Sequence, residues 1–214
     1  MTGRRTTEDV APRLPARVVL PGFPGRFQGF VVDPSCALVW CVDEALTATE
    51  CDELLEWVDT LDLSIAPITT AIGPVMRPDI RNNDRAMVDH PGLAAMLYDR
   101  VAHTIPMVMY DAWRPIGLNE RLRVYRYGPG QVFAPHIDGS FRRSNVEESQ
   151  LTLMFYLDEG CEGGATRFLD GRTAVVPKRG MALLFQHRIL HEGALVTAGR
   201  KTVLRTDVMF RRDA

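Results

Sequence analysis

Apolar and polar residues follow two different periods along the chain, and the change falls near residue 120. Before it, Leu54, Leu55, Trp57, Val58 and Leu61 recur at helical spacing, with Thr47 and Glu50 in a capping-box pattern ahead of them. This predicts a helix over 47–61. Leu93, Leu97 and Val101 recur every four residues and predict a second helix over 92–104, closed by Pro106. From about 120 the period is two. Strands are predicted at 121–127, 131–138, 151–157, 165–169, 173–176, 181–186 and 201–210. Gly128-Pro129-Gly130, Gly163-Gly164, Asp170-Gly171 and Lys178-Arg179-Gly180 separate them as turns.

Short strands at close spacing predict a mainly β fold, a jelly roll with N-terminal helices packed on one sheet. The polar residues 1–17 are expected to be a mobile terminus, and 18–30 to form turns around short extended pieces. Residues 18–214 then make one domain, a helical support region at 18–118 and a jelly-roll core at 119–210. A chain of 214 residues suffices for one full core.

Charge narrows the function. Against 25 basic residues stand 27 acidic ones, so no broad nucleic-acid surface is expected. No apolar run is long enough to span a bilayer. Arg4-Arg5 is not followed by an apolar signal segment. Cys36, Cys41, Cys51 and Cys161 match no zinc spacing and read as free thiols in a reducing compartment. A soluble, cytoplasmic protein is expected.

The segment QVFAPHIDG sets His136 and Asp138 two apart on a predicted strand, where side chains share a face. A third metal ligand must come from elsewhere, and FQHRILHEG offers His187 and His191. Two histidines and a carboxylate on one face of iron leave positions open for a cosubstrate and oxygen. The following strand, RKTVLRTDVMF, puts Lys201 and Arg205 on one face, about 13 Å apart. Either these cations point inward onto a partner such as a dicarboxylic cosubstrate, or they lie in solvent with Asp207 as their counter-ion.

The runs RVYRYGPGQVFAPHID, LTLMFYLDEGCEGGATRF and PKRGMALLFQHRILHEGALVTAGRKTVLRTDV resemble the prolyl-4-hydroxylase-like branch of the 2-oxoglutarate/Fe(II) oxygenases. The likeness covers roughly 118–210. It implies a cupin-like double-stranded β-helix that uses Fe(II), 2-oxoglutarate and O2. It implies His136, Asp138 and His191 as metal ligands, with His191 preferred over His187. It implies Lys201 on the C5 carboxylate of 2-oxoglutarate, with Tyr127 nearby and Tyr156 hydrogen-bonded to the same carboxylate. Arg205 is then expected nearer the iron, on the C1 carboxylate or a substrate anion; the reverse assignment, Arg205 as the C5 anchor, stays open. An intact Asp138 argues against halogenation.

The implied activity is a dioxygenase that oxidises an unactivated C–H bond of a small molecule, such as an amino acid or secondary metabolite, releasing succinate and CO2. The alternatives are a peptidyl prolyl hydroxylase with a mobile loop at 139–150, a nucleic-acid demethylase, and a jelly-roll binding module without catalysis. Candidate substrate residues are Arg81, Asn83 and Arg85 in the charged segment RPDIRNNDR, read as a loop, together with Asn119 and Arg142. Trp57, Phe133 and Phe155 read as core.

Overall fold

The computed structural model describes residues 26–27, 30–70, 72–168 and 173–213. The expectations for 1–17, for much of 18–30 and for the Asp170-Gly171 turn lie outside these residues. In chain order, the strands that build the site are β1 (Val39–Val42), β2 (Ser64–Ile65), β3 (Asp84–Asp89), β4 (Trp113–Leu118), β5 (Arg121–Tyr127) and β6 (Phe133–His136). Then come β7 (Glu147–Tyr156), β8 (Thr166–Phe168), β9 (Ala174–Val175), β10 (Ala182–Gln186), β11 (His191–Gly193) and β12 (Lys201–Arg212).

The larger sheet has eight strands. Seven follow the order β1-β10-β7-β12-β5-β3-β2, and β4 pairs with the C-terminal half of β12. The smaller sheet has the order β6-β11-β8-β9. Period two gives each long strand of the larger sheet two apolar faces. Leu122, Val124, Leu153, Phe155, Leu184 and Leu204 pack toward the helices. Tyr125, Tyr127, Met154, Tyr156, Leu183, Phe185 and Val203 pack toward the smaller sheet. The site lies in this second layer.

The helices are α1 (Ala48–Asp59) and α2 (Pro91–Val101), the latter running into a 3-10 turn at Ala102–Thr104. The Thr47 side chain accepts from Glu50 N–H, and the Glu50 carboxylate accepts from Thr47 N–H, so the predicted capping box forms. Cys51, Leu54 and Val58 bury the inner stripe of α1.

The N-terminal half differs from its expected helical character, because β1 to β4 all enter the larger sheet. Their signals are weak in the sequence. Strand β4 carries Pro115 and Gly117, which break the strand pattern. Strand β3 begins inside the charged run expected as a loop, and its backbone pairs with β5 from Asp84 to Asp89. Strand β6 stops at His136, so Asp138 follows the strand instead of lying on it. The segment 139–150 is likewise no free loop. Its last residues, from Glu147, belong to β7, and Arg142–Glu148, Arg143–Glu120 and Arg211–Glu147 ion pairs tie the turn down.

Thr47→Ala removes one half of the capping box directly. It should cost about 1 kcal/mol and lower the Tm by about 2–4 °C in thermal melts.

Candidate metal and cosubstrate site

His136 ends β6 and His191 begins β11, and the two are Cα partners across the antiparallel pair. Their rings therefore meet, with centroids 4.3 Å apart. Asp138 closes the cluster. Its Oδ1 lies 3.8 Å from His136 Nε2, and its Oδ2 lies 3.6 Å from His191 Nε2. The ligand atoms of all three residues fall within 4.8 Å of one another.

The histidine tautomers suit a metal. His136 Nδ1 lies 2.8 Å from the Ala134 carbonyl oxygen, and His191 Nδ1 lies 2.9 Å from that of Ile189. A carbonyl oxygen can only accept, so each Nδ1 donates and each Nε2 lone pair faces the cluster. Burial lowers both imidazole pKa values, that of His136 to about 3, which keeps them neutral. Phe133 stacks on His136 at 3.5 Å, and Phe185 meets His191 edge-on at 4.5 Å. Phe133 thus belongs to the site and not simply to the core.

Asp138 is a buried carboxylate with arranged donors. Burial would raise its pKa, but Arg205 and the histidines hold it well below the usual range. Arg205 Nη2 lies 3.0 Å from Asp138 Oδ1. The Thr152 hydroxyl donates to Asp138 Oδ2 at 2.7 Å. Having spent its hydrogen there, Thr152 must accept from His187 Nδ1 at 2.9 Å. His187 Nε2 then accepts from the Ser149 hydroxyl at 2.8 Å, and Ser149 accepts from Phe141 N–H. His187, the rival third ligand, is thus turned away from the cluster and orients the Thr152 donor. Arg205 also meets Asp207 at 3.3 Å, and Asp207 meets Arg123 at 3.0 Å.

An inner pocket opens beyond the cluster, lined among others by Tyr127, Thr166, Lys201 and Arg205. Lys201 is a Cα partner of Tyr127, and its Nζ lies 4.8 Å from that ring's centroid. It donates to the Gly164 carbonyl oxygen at 2.6 Å. Burial pushes its pKa down to about 8.

The donor set fits a divalent iron: two neutral imidazoles, one carboxylate and a cavity at their open side. Residues 122–206 match the family described as the 2OG-Fe(II) oxygenase superfamily. That stretch is a 2OG-Fe(II) oxygenase domain. The protein is therefore an Fe(II)/2-oxoglutarate-dependent dioxygenase, with O2 as the other cosubstrate. Among solved structures, this oxygenase is similar to the viral collagen prolyl hydroxylase of Paramecium Bursaria Chlorella virus-1 at 20% identity, with 82% of this chain and 97% of that one covered and a TM-score of 0.57. It is similar to a Pseudomonas putida prolyl-4-hydroxylase at 22% identity, with 82% and 93% covered and a TM-score of 0.57. A Trichoplax adhaerens prolyl hydroxylase, in complex with a hypoxia inducible factor oxygen degradation domain peptide fragment, shares 17% identity over 82% and 83%, with a TM-score of 0.61. These likenesses establish the jelly-roll fold. No curated protein sequence matches the chain.

The oxygenase brings some expected residues together and separates others. Arg81, Arg85 and Arg205 line a second, outer cavity of about 450 Å³ that also reaches His136 and Asp138. Asn83 accepts from Arg81 Nε at 2.7 Å and lines neither cavity. Asn119 is buried in the β4–β5 turn, where its side chain accepts from Arg121 N–H. Arg142 is 65% exposed in its side chain and paired with Glu148, so the cavity loses it to a surface ion pair. Tyr156 is fully buried behind Thr166, with 2.8 Å between the hydroxyls, and Thr166 is the one that lines the inner pocket. Arg123, Tyr125, Thr152 and Thr166 were not expected. Period two from Tyr127 and Tyr156 would have found Tyr125, Arg123 and Thr152 on the same faces.

His187, with its pKa pushed down to about 4 by burial, makes a pH prediction. Below its ordinary value of 6.5, the unfolded chain takes up a proton that the folded chain refuses. This stability is complete above that value and is lost as the pH falls toward about 4. Thermal melts of the metal-free protein should show a Tm that falls across that window. A flat Tm would contradict the neutral, buried histidine.

Proposed function

We propose that this dioxygenase oxidises an unactivated C–H bond of a small molecule. The observation that carries the reading is the pair of cavities meeting at the His136–Asp138–His191 cluster, one ending on Lys201 and the other about 450 Å³ in volume. That volume suits a small ligand.

In this reading, His136 and His191 hold iron(II) through Nε2 and Asp138 holds it through a carboxylate oxygen. Once bound, iron(II), 2-oxoglutarate and O2 would supply the oxidising power, one oxygen atom of O2 passing into succinate as CO2 is lost and the other being available to oxidise the substrate. The chain's own residues bind, orient and exclude water. Lys201 receives the C5 carboxylate. An ammonium group has three hydrogens, and Gly164 is its sole hydrogen-bond acceptor among the described residues. Tyr127 supports it from below, and Tyr156 orients the Thr166 hydroxyl toward the same carboxylate. Arg205 lines both cavities. With two protein carboxylates already on it, Arg205 serves the metal end of the site and not the C5 end. Arg205 keeps Asp138 ionised, and the Thr152–His187–Ser149 chain holds it turned toward the metal.

A peptidyl prolyl hydroxylase is the second reading, favoured by the fold shared with prolyl hydroxylases. The ion-paired turn at 139–150 favours the first, since a mobile cover over a long substrate is not built there.

Anaerobic protein given Fe(II) and 2-oxoglutarate should develop a weak visible charge-transfer band that His136→Ala abolishes. Iron-loaded wild type without the band would sink the site assignment. Lys201→Ala should raise the 2-oxoglutarate requirement by about tenfold or more, the worth of a charge-assisted hydrogen bond. If only Arg205→Ala does so, the two cations exchange roles. Succinate release should rise with members of a panel of free amino acids and other small acids; a rise only with proline-containing peptides selects the second reading.

A further inference from the structure

The outer cavity carries more positive charge than the protein neutralises. Arg81, Arg85, Arg123 and Arg205 line it. Arg205 and Arg123 are balanced by Asp138 and Asp207. Arg81 and Arg85 have no carboxylate partner among the described residues.

Arg81 is the informative one. It is 5% exposed, and its guanidinium carbon lies 4.5 Å from the Tyr125 ring centroid and 4.3 Å from that of Phe133. The two rings and the Nε–H bond to Asn83 fix its plane. Its Nη2 has no hydrogen-bond partner among the described residues. A buried guanidinium nitrogen without an acceptor is costly, and a rigid one facing a cavity is prepared for an anion. Burial lowers the pKa of Arg85; Tyr125 opposes this, and the charges of Arg81 and Arg123 add to it. A bound anion would relieve that repulsion. Ile68, Ile80, Ile137 and Phe141 add an apolar stretch to the wall beside Ser140, His136 and Asp138.

We propose that Arg81 and Arg85 bind an oxyanion of the substrate, so that the substrate class is a small acid with an apolar body lying toward His136 and Asp138. This rests on the reading of the inner pocket as the 2-oxoglutarate site, which leaves the outer cavity for the substrate. Carboxylates and phosphate esters share the recognising chemistry. Arg81 then fixes which carbon of the substrate faces the metal ligands, since the acid group is held on one wall of a cavity that also reaches His136 and Asp138.

The test uses the anaerobic Fe(II)- and 2-oxoglutarate-loaded protein, titrated by calorimetry with hexanoate, hexyl phosphate and the neutral hexanamide. One of the two acids should bind at least about tenfold more tightly than the amide, and which one binds identifies the carboxylate or the phosphate source. Arg85→Gln, at a half-buried position, should remove that preference and leave 2-oxoglutarate binding unchanged. Arg81→Gln should do the same where it folds. Equal binding of acid and amide, binding of neither acid, or an acid preference that survives Arg85→Gln overturns the proposal. Failure of 2-oxoglutarate itself to bind would instead bring down the underlying functional reading. The same titrations on the metal-free protein then still decide whether Arg85 selects acids.

Discussion

The structure is organised around keeping one carboxylate charged in a place with little water. Asp138 is 6% exposed, and an isolated charge there would be neutralised or expelled. It is kept by an alternating chain of charges, Asp138–Arg205–Asp207–Arg123, that runs along one face of β12 and onto β5. Removing one member of such a chain leaves its neighbour uncompensated. The hydroxyl of Thr152 adds a donor, and His187 orients that hydroxyl. What remains for a metal is the open side of Asp138 and the two Nε2 atoms.

That same chain divides the cations by task. Arg205 is held by protein carboxylates and forms part of the wall between the cavities. Lys201, four residues earlier on the same strand face, has a backbone carbonyl as acceptor and the Tyr127 ring beside it. Arg81 lies on the other side, clamped between two aromatic rings. One strand with period two and one clamped arginine thus separate three positive groups that the sequence shows as basic residues without distinction. The separation puts Lys201 on the inner cavity, Arg81 on the outer one and Arg205 on both, which is the basis of the two-compartment proposal.

Much of this is legible in the sequence. The alternation of Lys201, Val203 and Arg205 put both cations on one face, and that face is the interior. The spacing of His136 and Asp138 brought them together, although Asp138 lies past the end of β6 and the ideal strand argument does not strictly apply to it. The capping box at Thr47 formed as written. The strands of the N-terminal half were not legible, because Pro115, Gly117 and the charges around Asp84 break the alternation that marks a strand. Phe133 packs against the core as its pattern indicates, but its second contact, on His136, is not legible. An aromatic residue in an apolar strand looks the same whether its ring packs in a core or lies against a ligand imidazole. The role of His187 depends on partners 35 and 38 residues away, which no local pattern encodes. Arg142 shows the opposite case, since its charge is visible in the sequence but its pairing with Glu148 across the turn is set by the fold.

A crystal structure of the Fe(II) and 2-oxoglutarate complex, prepared without oxygen, is the most direct measurement. Division of the site into two compartments predicts the C5 carboxylate within about 3 Å of Lys201 Nζ, deep to the metal, with the Arg81 and Arg85 side of the outer cavity left to the substrate. A C5 carboxylate lying instead on the outer side, between Arg205 and Arg81, would contradict it.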